Sequence, residues 1–182
     1  MNGSAFVKLT PAIAEHDHIL GSTLAPVTLV EYGDYECPDC KRAHLFIKDI
    51  HKWLGNYLCF VFRHFPLNLH PHAQRAAEAA EAAGAQARFW EMHDHLFEHQ
   101  QMLDNEHLQQ YAKLLGLDVE KFSRELAEGV YTQRVREDFS SGSKSSVSCT
   151  PTFFINGRRH SGSWDLDDLL TAIEQAGATQ ED

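Results

Sequence analysis

Cys37-Pro38-Asp39-Cys40 places two thiols three positions apart. Such a pair closes a small ring as a disulfide and reopens it, so the chemistry it suggests is thiol–disulfide exchange. At a helix start, free backbone N–H groups and the positive end of the macrodipole favour a thiolate on Cys37, which makes it the attacking sulfur. Cys40, turned inward, would resolve the mixed disulfide with substrate. The same four letters can also be half of a zinc site. Zinc needs about four ligands, and no second CxxC or close Cys/His pair accompanies this one, so no metal is expected there.

The elements that must position the pair are legible on either side of it. Val27-Thr28-Leu29-Val30 reads as a buried strand, and Ala43, Ile47, Ile50 and Leu54 recur at helical spacing after Cys40. Gly55 ends that helix and a strand over 57–65 follows, which together make a right-handed parallel βαβ unit. Cys59, inside the second strand, reads as a buried inert thiol.

Residues 71–143 read as helices. Pro71 suits a first turn, an alanine stripe (Ala73, Ala76, Ala77, Ala80, Ala83) runs to Gly84, and Phe89, Trp90, His93, Leu96 and Phe97 form the next stripe. Asp104 and Asp118 suit N-caps, and Ser140–Ser146 breaks the last helix after Tyr131, Val135, Asp138 and Phe139. A strand at Thr152–Ile155 turns through Asn156-Gly157 into Arg158–Ser161, and Asp165 opens a closing helix. The expected fold class is α/β: βαβ, a helical block, then ββα. One domain over 1–182 is expected, with a loosely structured N-terminal extension over about 1–25 and a helical insertion over about 71–143. His16-Asp17-His18 in that extension has no evident role.

The chain has 182 residues and a net charge of −10, without a Lys/Arg cluster, which argues against nucleic acid and anionic membrane surfaces as partners. No apolar stretch approaches the roughly 20 residues of a membrane span. Met1 to Leu24 lacks a basic start and an apolar run, so a cytoplasmic location is expected, or a periplasmic one if a native N-terminus has been removed. Four cysteines are too few for a disulfide scaffold, and a monomer is the default. Among twelve histidines, His95 and His99 are i, i+4 neighbours with His93 close by, but no metal motif is completed and a polar helix face accounts for them.

Val30-Glu31-Tyr32-Gly33-Asp34-Tyr35-Glu36-Cys37-Pro38, Arg63-His64-Phe65-Pro66-Leu67, His70-Pro71-His72-Ala73 and Thr150-Pro151-Thr152-Phe153-Phe154-Ile155-Asn156-Gly157 together resemble the DsbA-like branch of the thioredoxin fold, in its short subfamily called the fourth thioredoxin group. The resemblance spans about Asp17 to Ile173. It implies a thiol–disulfide oxidoreductase without a cofactor, acting on protein thiols and disulfides and recycled by a redox partner. It places a cis-proline, Pro151, beside the dithiol, with the Thr150 backbone offered to the substrate chain and Pro38 and Asp39 facing it. His64, His70 and His72 fall near the site's rim. Glu31 matches the buried acid of the family, with a raised pKa and a proton to exchange with Cys40; a salt-bridged surface Glu at a strand edge is the alternative.

Two departures stand out. Asp39 occupies a position where DsbA has His, and its charge opposes a thiolate on Cys37; at an assumed separation of roughly 6 Å this is worth about 15–60 mV toward a more reducing pair, a lean to reductase or isomerase work. Cys149 stands where relatives more often carry Gly, as a small buried residue or as a second redox thiol able to pair with Cys37. A redox-responsive interaction module without turnover is the competing reading, and a kappa-type glutathione transferase relative ranks last because those proteins tend to lack the paired thiols.

Overall fold

The structure, a computed structural model, describes residues 7–179. Strands β1 (His18–Leu20), β2 (Val27–Gly33), β3 (Leu58–His64), β4 (Thr152–Ile155) and β5 (Arg158–Arg159) form one sheet in the order β1-β3-β2-β4-β5. β2 runs parallel to β3 and antiparallel to β4. The parallel pair is linked by helix α1 (Pro38–Leu54), as a crossover connection requires. Between β3 and β4 lie α2 (Ala73–Gly84), α3 (Phe89–Glu98), α4 (Asn105–Leu114), α5 (Val119–Glu128) and α6 (Thr132–Lys144), and α7 (Leu166–Ala178) closes the described chain. No helix among the described residues is long and apolar enough to cross a membrane.

Strand alternation divides the core. Leu29, Phe60, Phe62, Phe153 and Ile155 face α1 and the helical block, whereas Val30, Tyr32, Val61 and Phe154 face the other layer with Phe65 and Val147. Glu31 and Gly33 share the face of Leu29. A Cβ at Gly33 would lie 2.4 Å from the Phe62 ring, so only glycine lets that ring slide beneath the end of β2.

The N-terminal extension departs from expectation. Within its described residues, from 7 onward, it supplies β1, paired antiparallel with β3, and Lys8 bridges to Arg158 at the opposite edge of the sheet. Three residues are too few to show an alternation, and a buried ion pair supplies the anchor instead. Arg63 Nε and Nη2 donate to the two Asp17 carboxylate oxygens at 2.8 Å each. Its remaining donors reach the Tyr32 hydroxyl and the carbonyls of Pro11 and Ala12. Asp17 therefore has a structural partner that its neighbours in sequence do not disclose.

Other boundaries shift by local chemistry. α2 starts at Ala73 rather than at Pro71, after a turn in which Ala73 N–H bonds the His70 carbonyl. The serine-rich stretch does not break α6, which continues to Lys144. Its hydroxyls bond back to carbonyls three or four residues earlier (Ser141 to Asp138, Ser143 to Phe139), and Gly142 fits against Phe65 where a Cβ would lie 2.6 Å from the ring. β5 is shorter than the expected Arg158–Ser161.

Candidate active site

Cys37 is the N-cap of α1 in extended backbone conformation, with Pro38 at the first helical position. The loop entering the helix is pinned from several sides. Cys37 N–H bonds the Asp34 carbonyl at 3.1 Å. The buried Asp34 carboxylate accepts from Glu36 N–H and Leu67 N–H at 2.8 Å and meets His70 Nδ1 at 2.7 Å. Gln100, from the segment after α3, donates through Nε2 to the carbonyls of Tyr35 and Cys37 at 2.8 Å. Asp34 and Gln100 are positioning residues that sequence reading missed. Asp34 sits within a family-like string, but Gln100 has no local signal because its partners lie more than sixty positions away.

Both active-site sulfurs are buried, Cys37 at 7% exposure and Cys40 at 0%. Cys37 Sγ donates to the Thr150 carbonyl at 3.4 Å, across the cis Thr150–Pro151 peptide's strand end. Asp34 N–H points at Cys40 Sγ at 3.4 Å. A hydrogen bond from the Cys40 thiol, opposed by burial and joined by Thr150 and the N–H groups of Cys40 and Asp39, lowers the Cys37 pKa to about 6. The Thr150 hydroxyl is buried without a hydrogen-bond partner, a donor available to a thiolate. Burial, its bond to Cys37 and the charge of Glu31 push Cys40 well above the ordinary thiol value. One sulfur is thus an anion at neutral pH and the other a protonated reserve.

Glu31 lies between Phe62 on β3 and Phe153 on β4 in register, 1% exposed, with Oε1 lacking any hydrogen-bond partner. Burial first, then the Cys37 charge, raises its pKa to about 8. The surface salt bridge that its strand position also allowed is not formed. Stability associated with the protonated carboxyl is complete below about 4.5 and lost as pH rises toward 8. Glu31→Gln is therefore expected to leave stability near pH 5 little changed and to raise it by on the order of 2–4 kcal/mol at pH 8 in the reduced protein. Urea unfolding at the two pH values checks this; an equal effect at both would show that Glu31 is not neutral when buried.

Asp39 lies in the first turn of α1. Its exposed carboxylate pairs with Arg42 Nη1 at 3.3 Å, while its backbone N–H helps to hold the Cys37 anion. Arg42 also lies over the Trp164 ring at 5.1 Å. The bonds gathered at the Cys37 sulfur are what hold its pKa low. Pro38 is exposed beside it. Cys149 is exposed rather than a buried glycine substitute, because its side chain opens onto a groove of about 360 Å³ shared with Pro151, Thr152, His160 and Trp164.

The histidines separate. His70 and His72 hold Asp34 and Glu36 near the site, but His64 is buried below it, where it and His18 both meet Glu81 Oε1 at 2.9 Å. His95 and His99 pack on Tyr111 rather than on an open polar face. Cys59 is 2% exposed and burial raises its pKa, as suits an unreactive thiol.

A family model described as thioredoxin matches residues 14–175. The chain is 47% identical over 171 residues to a protein of Salinispora arenicola named Na(+)/H(+) antiporter NhaA 1, covering 93% of this chain and 26% of that one. The chain thus spans about a quarter of the length of the curated relatives it matches. Among solved structures, oxidised BdbD from Bacillus subtilis superposes with a TM-score of 0.82 at 27% identity, covering 95% of this chain and 98% of BdbD. The alpha-DsbA1 of Wolbachia pipientis shares the fold at a TM-score of 0.78 and 21% identity, covering 92% and 94%. The chain belongs to the thioredoxin family and has a DsbA-like fold.

Proposed function

We propose that the chain, acting as one domain, reduces or isomerises protein disulfides through Cys37 and Cys40. The observation that carries this is the pairing of a thiolate-favouring sulfur at a helix N-cap with a buried, protonated sulfur above an unpartnered carboxyl group. The Cys37 thiolate attacks one sulfur of a substrate disulfide, forming a mixed disulfide and releasing the other substrate sulfur as thiolate. Loss of the Cys37 charge removes one of the two causes that keep Glu31 protonated. Glu31 releases its proton, which passes through solvent to the departed substrate thiolate; the carboxylate so formed takes the Cys40 proton, and the Cys40 thiolate attacks Cys37 Sγ, closing the ring and freeing the second substrate sulfur as a thiolate. The Thr150 carbonyl, the face of Pro151, and exposed Pro38 and Asp39 are assigned to the substrate chain, with Cys149 on the same groove as a thiol that can modulate exchange.

The Cys37 pKa of about 6 supports a reducing rather than a strongly oxidising pair. Ionisation at pH 7 stabilises the reduced state only about 1 kcal/mol more than a thioredoxin-like thiol of pKa about 7 would, roughly 20 mV. DsbA, with a thiol near 3.5, lies about 150 mV above thioredoxin. The antiporter name belongs to proteins about four times as long, and we assign this segment dithiol chemistry rather than transport.

Catalytic reduction of insulin by dithiothreitol tests the reading. The full chain at micromolar concentration is expected to shorten the lag before insulin B chain precipitates; a lag equal to that of dithiothreitol alone would instead favour a binding module without turnover.

A further inference from the structure

A second cluster of reactive side chains lies where α1 meets α3, apart from the dithiol. α1 and α3 pack side by side, and between them opens a cavity of about 270 Å³ with His44, His51, Trp90, His93 and Asp94 in its wall. We propose that His44, His93 and Asp94 bind a divalent transition-metal ion of the zinc type, with the fourth coordination position open to this cavity.

Geometry favours these three. One ligand atom from each lies within 4.8 Å of the others, and His44 Nε2 already stands 3.4 Å from Asp94 Oδ1. A tetrahedral site with bonds of about 2.0–2.1 Å places its ligand atoms about 3.3 Å apart, so small side-chain rotations close the set. His44 is 4% exposed, and its Nε2 is buried without a hydrogen-bond partner. An orphaned buried ring nitrogen costs free energy, which a metal bond would offset. His93 is held by its other nitrogen: Nδ1 meets the Tyr35 hydroxyl at 3.0 Å, which orients the ring and leaves Nε2 for the ion. Asp94 is fixed in the same way, with Oδ2 accepting from Lys48 Nζ at 3.0 Å while Oδ1 faces His44. Two imidazoles, a carboxylate and an open position suit zinc and its neighbours rather than calcium or magnesium.

Two other clusters lack this readiness. In the group of His18, His64 and Glu81, both imidazoles already meet the same carboxylate oxygen, Glu81 Oε1, through Nε2 at 2.9 Å. In the group of His95, Glu98 and His99, His99 Nδ1 is engaged with the His95 carbonyl and Glu98 is exposed. His44 and His93 are 49 positions apart in the chain, so no spacing motif could reveal them.

The test is titration of Zn²⁺ against a chromophoric chelator, using the full chain with its Cys37–Cys40 disulfide closed and Cys149 alkylated, so that thiols do not compete. One equivalent is expected to bind, and Co²⁺ in its place should give a ligand-field spectrum without a thiolate charge-transfer band. Asp94→Asn and His44→Gln should each weaken binding at least about tenfold, with His95→Gln and His99→Gln unchanged. Asp94 is partly exposed, so its variant should fold even if a His44 variant does not. Binding of less than one equivalent, binding indifferent to Asp94→Asn, or loss in the His95 or His99 variants would overturn the proposal. The readout is independent of disulfide turnover, so failure here and failure of the dithiol reading are distinct.

Discussion

Replacing Asp17 by alanine is expected to destabilise the protein by about 3–5 kcal/mol, because it strands the buried Arg63 guanidinium without its bidentate partner. Both side chains of the pair are essentially sealed from water, at 1% and 0% exposure. The loss is a large part of the roughly 5–15 kcal/mol that holds a typical domain together. Arg63→Met should cost a similar amount, whereas Asp17→Ala combined with Arg63→Met should recover much of it, since removing both charges leaves neither unpaired. Guanidinium unfolding of the four proteins forms the cycle; additive losses in the double variant would mean that the two residues act separately. The Asp17 pKa is set by burial, which raises it, outweighed by the bonds from Arg63, which lower it. Its contribution is therefore present above about pH 4 and lost as pH falls through the depressed folded value.

Cys37→Ser should reduce insulin turnover to the background of dithiothreitol, a loss larger than any other single substitution here should cause. A serine hydroxyl does not ionise near neutral pH, so the hydrogen bonds gathered around Cys37 have no anion to hold. Cys40→Ser should behave differently. The first attack survives, the resolving sulfur is gone, and a covalent mixed disulfide should accumulate that mass spectrometry and non-reducing gels can read. Turnover by Cys40→Ser at the native rate would mean that another thiol resolves the intermediate. Cys149 is the candidate, because it is exposed on the groove beside Pro151. Adding Cys149→Ser would then abolish that turnover.

What the sequence disclosed follows the range over which each feature is encoded. The dithiol, the strand before it and the helix after it are written in contiguous residues, with the period of each element visible in Val27–Val30 and in Ala43, Ile47 and Ile50. Asp104 and Asp118 cap their helices as their local patterns indicate, accepting from Glu106, His107 and Lys121 N–H groups. Features that depend on distant partners were not visible. β1 is three residues long and is held by an ion pair formed across 46 positions. The pairing of Asp39 with Arg42 was not visible, and Cys149 looked small and buried because the family pattern supplies a glycine there. Gln100 and the pair formed by His44 and His93 require the packing of α3 against α1, which no local period records.

The most direct measurement is the pH dependence of iodoacetamide alkylation in the reduced protein, followed peptide by peptide. Cys37 should be labelled with a midpoint near pH 6 while Cys40 stays protected well beyond pH 9. Equal labelling of both sulfurs, with midpoints near the roughly 8.5 of a free thiol, would contradict a poised anion backed by a protonated partner.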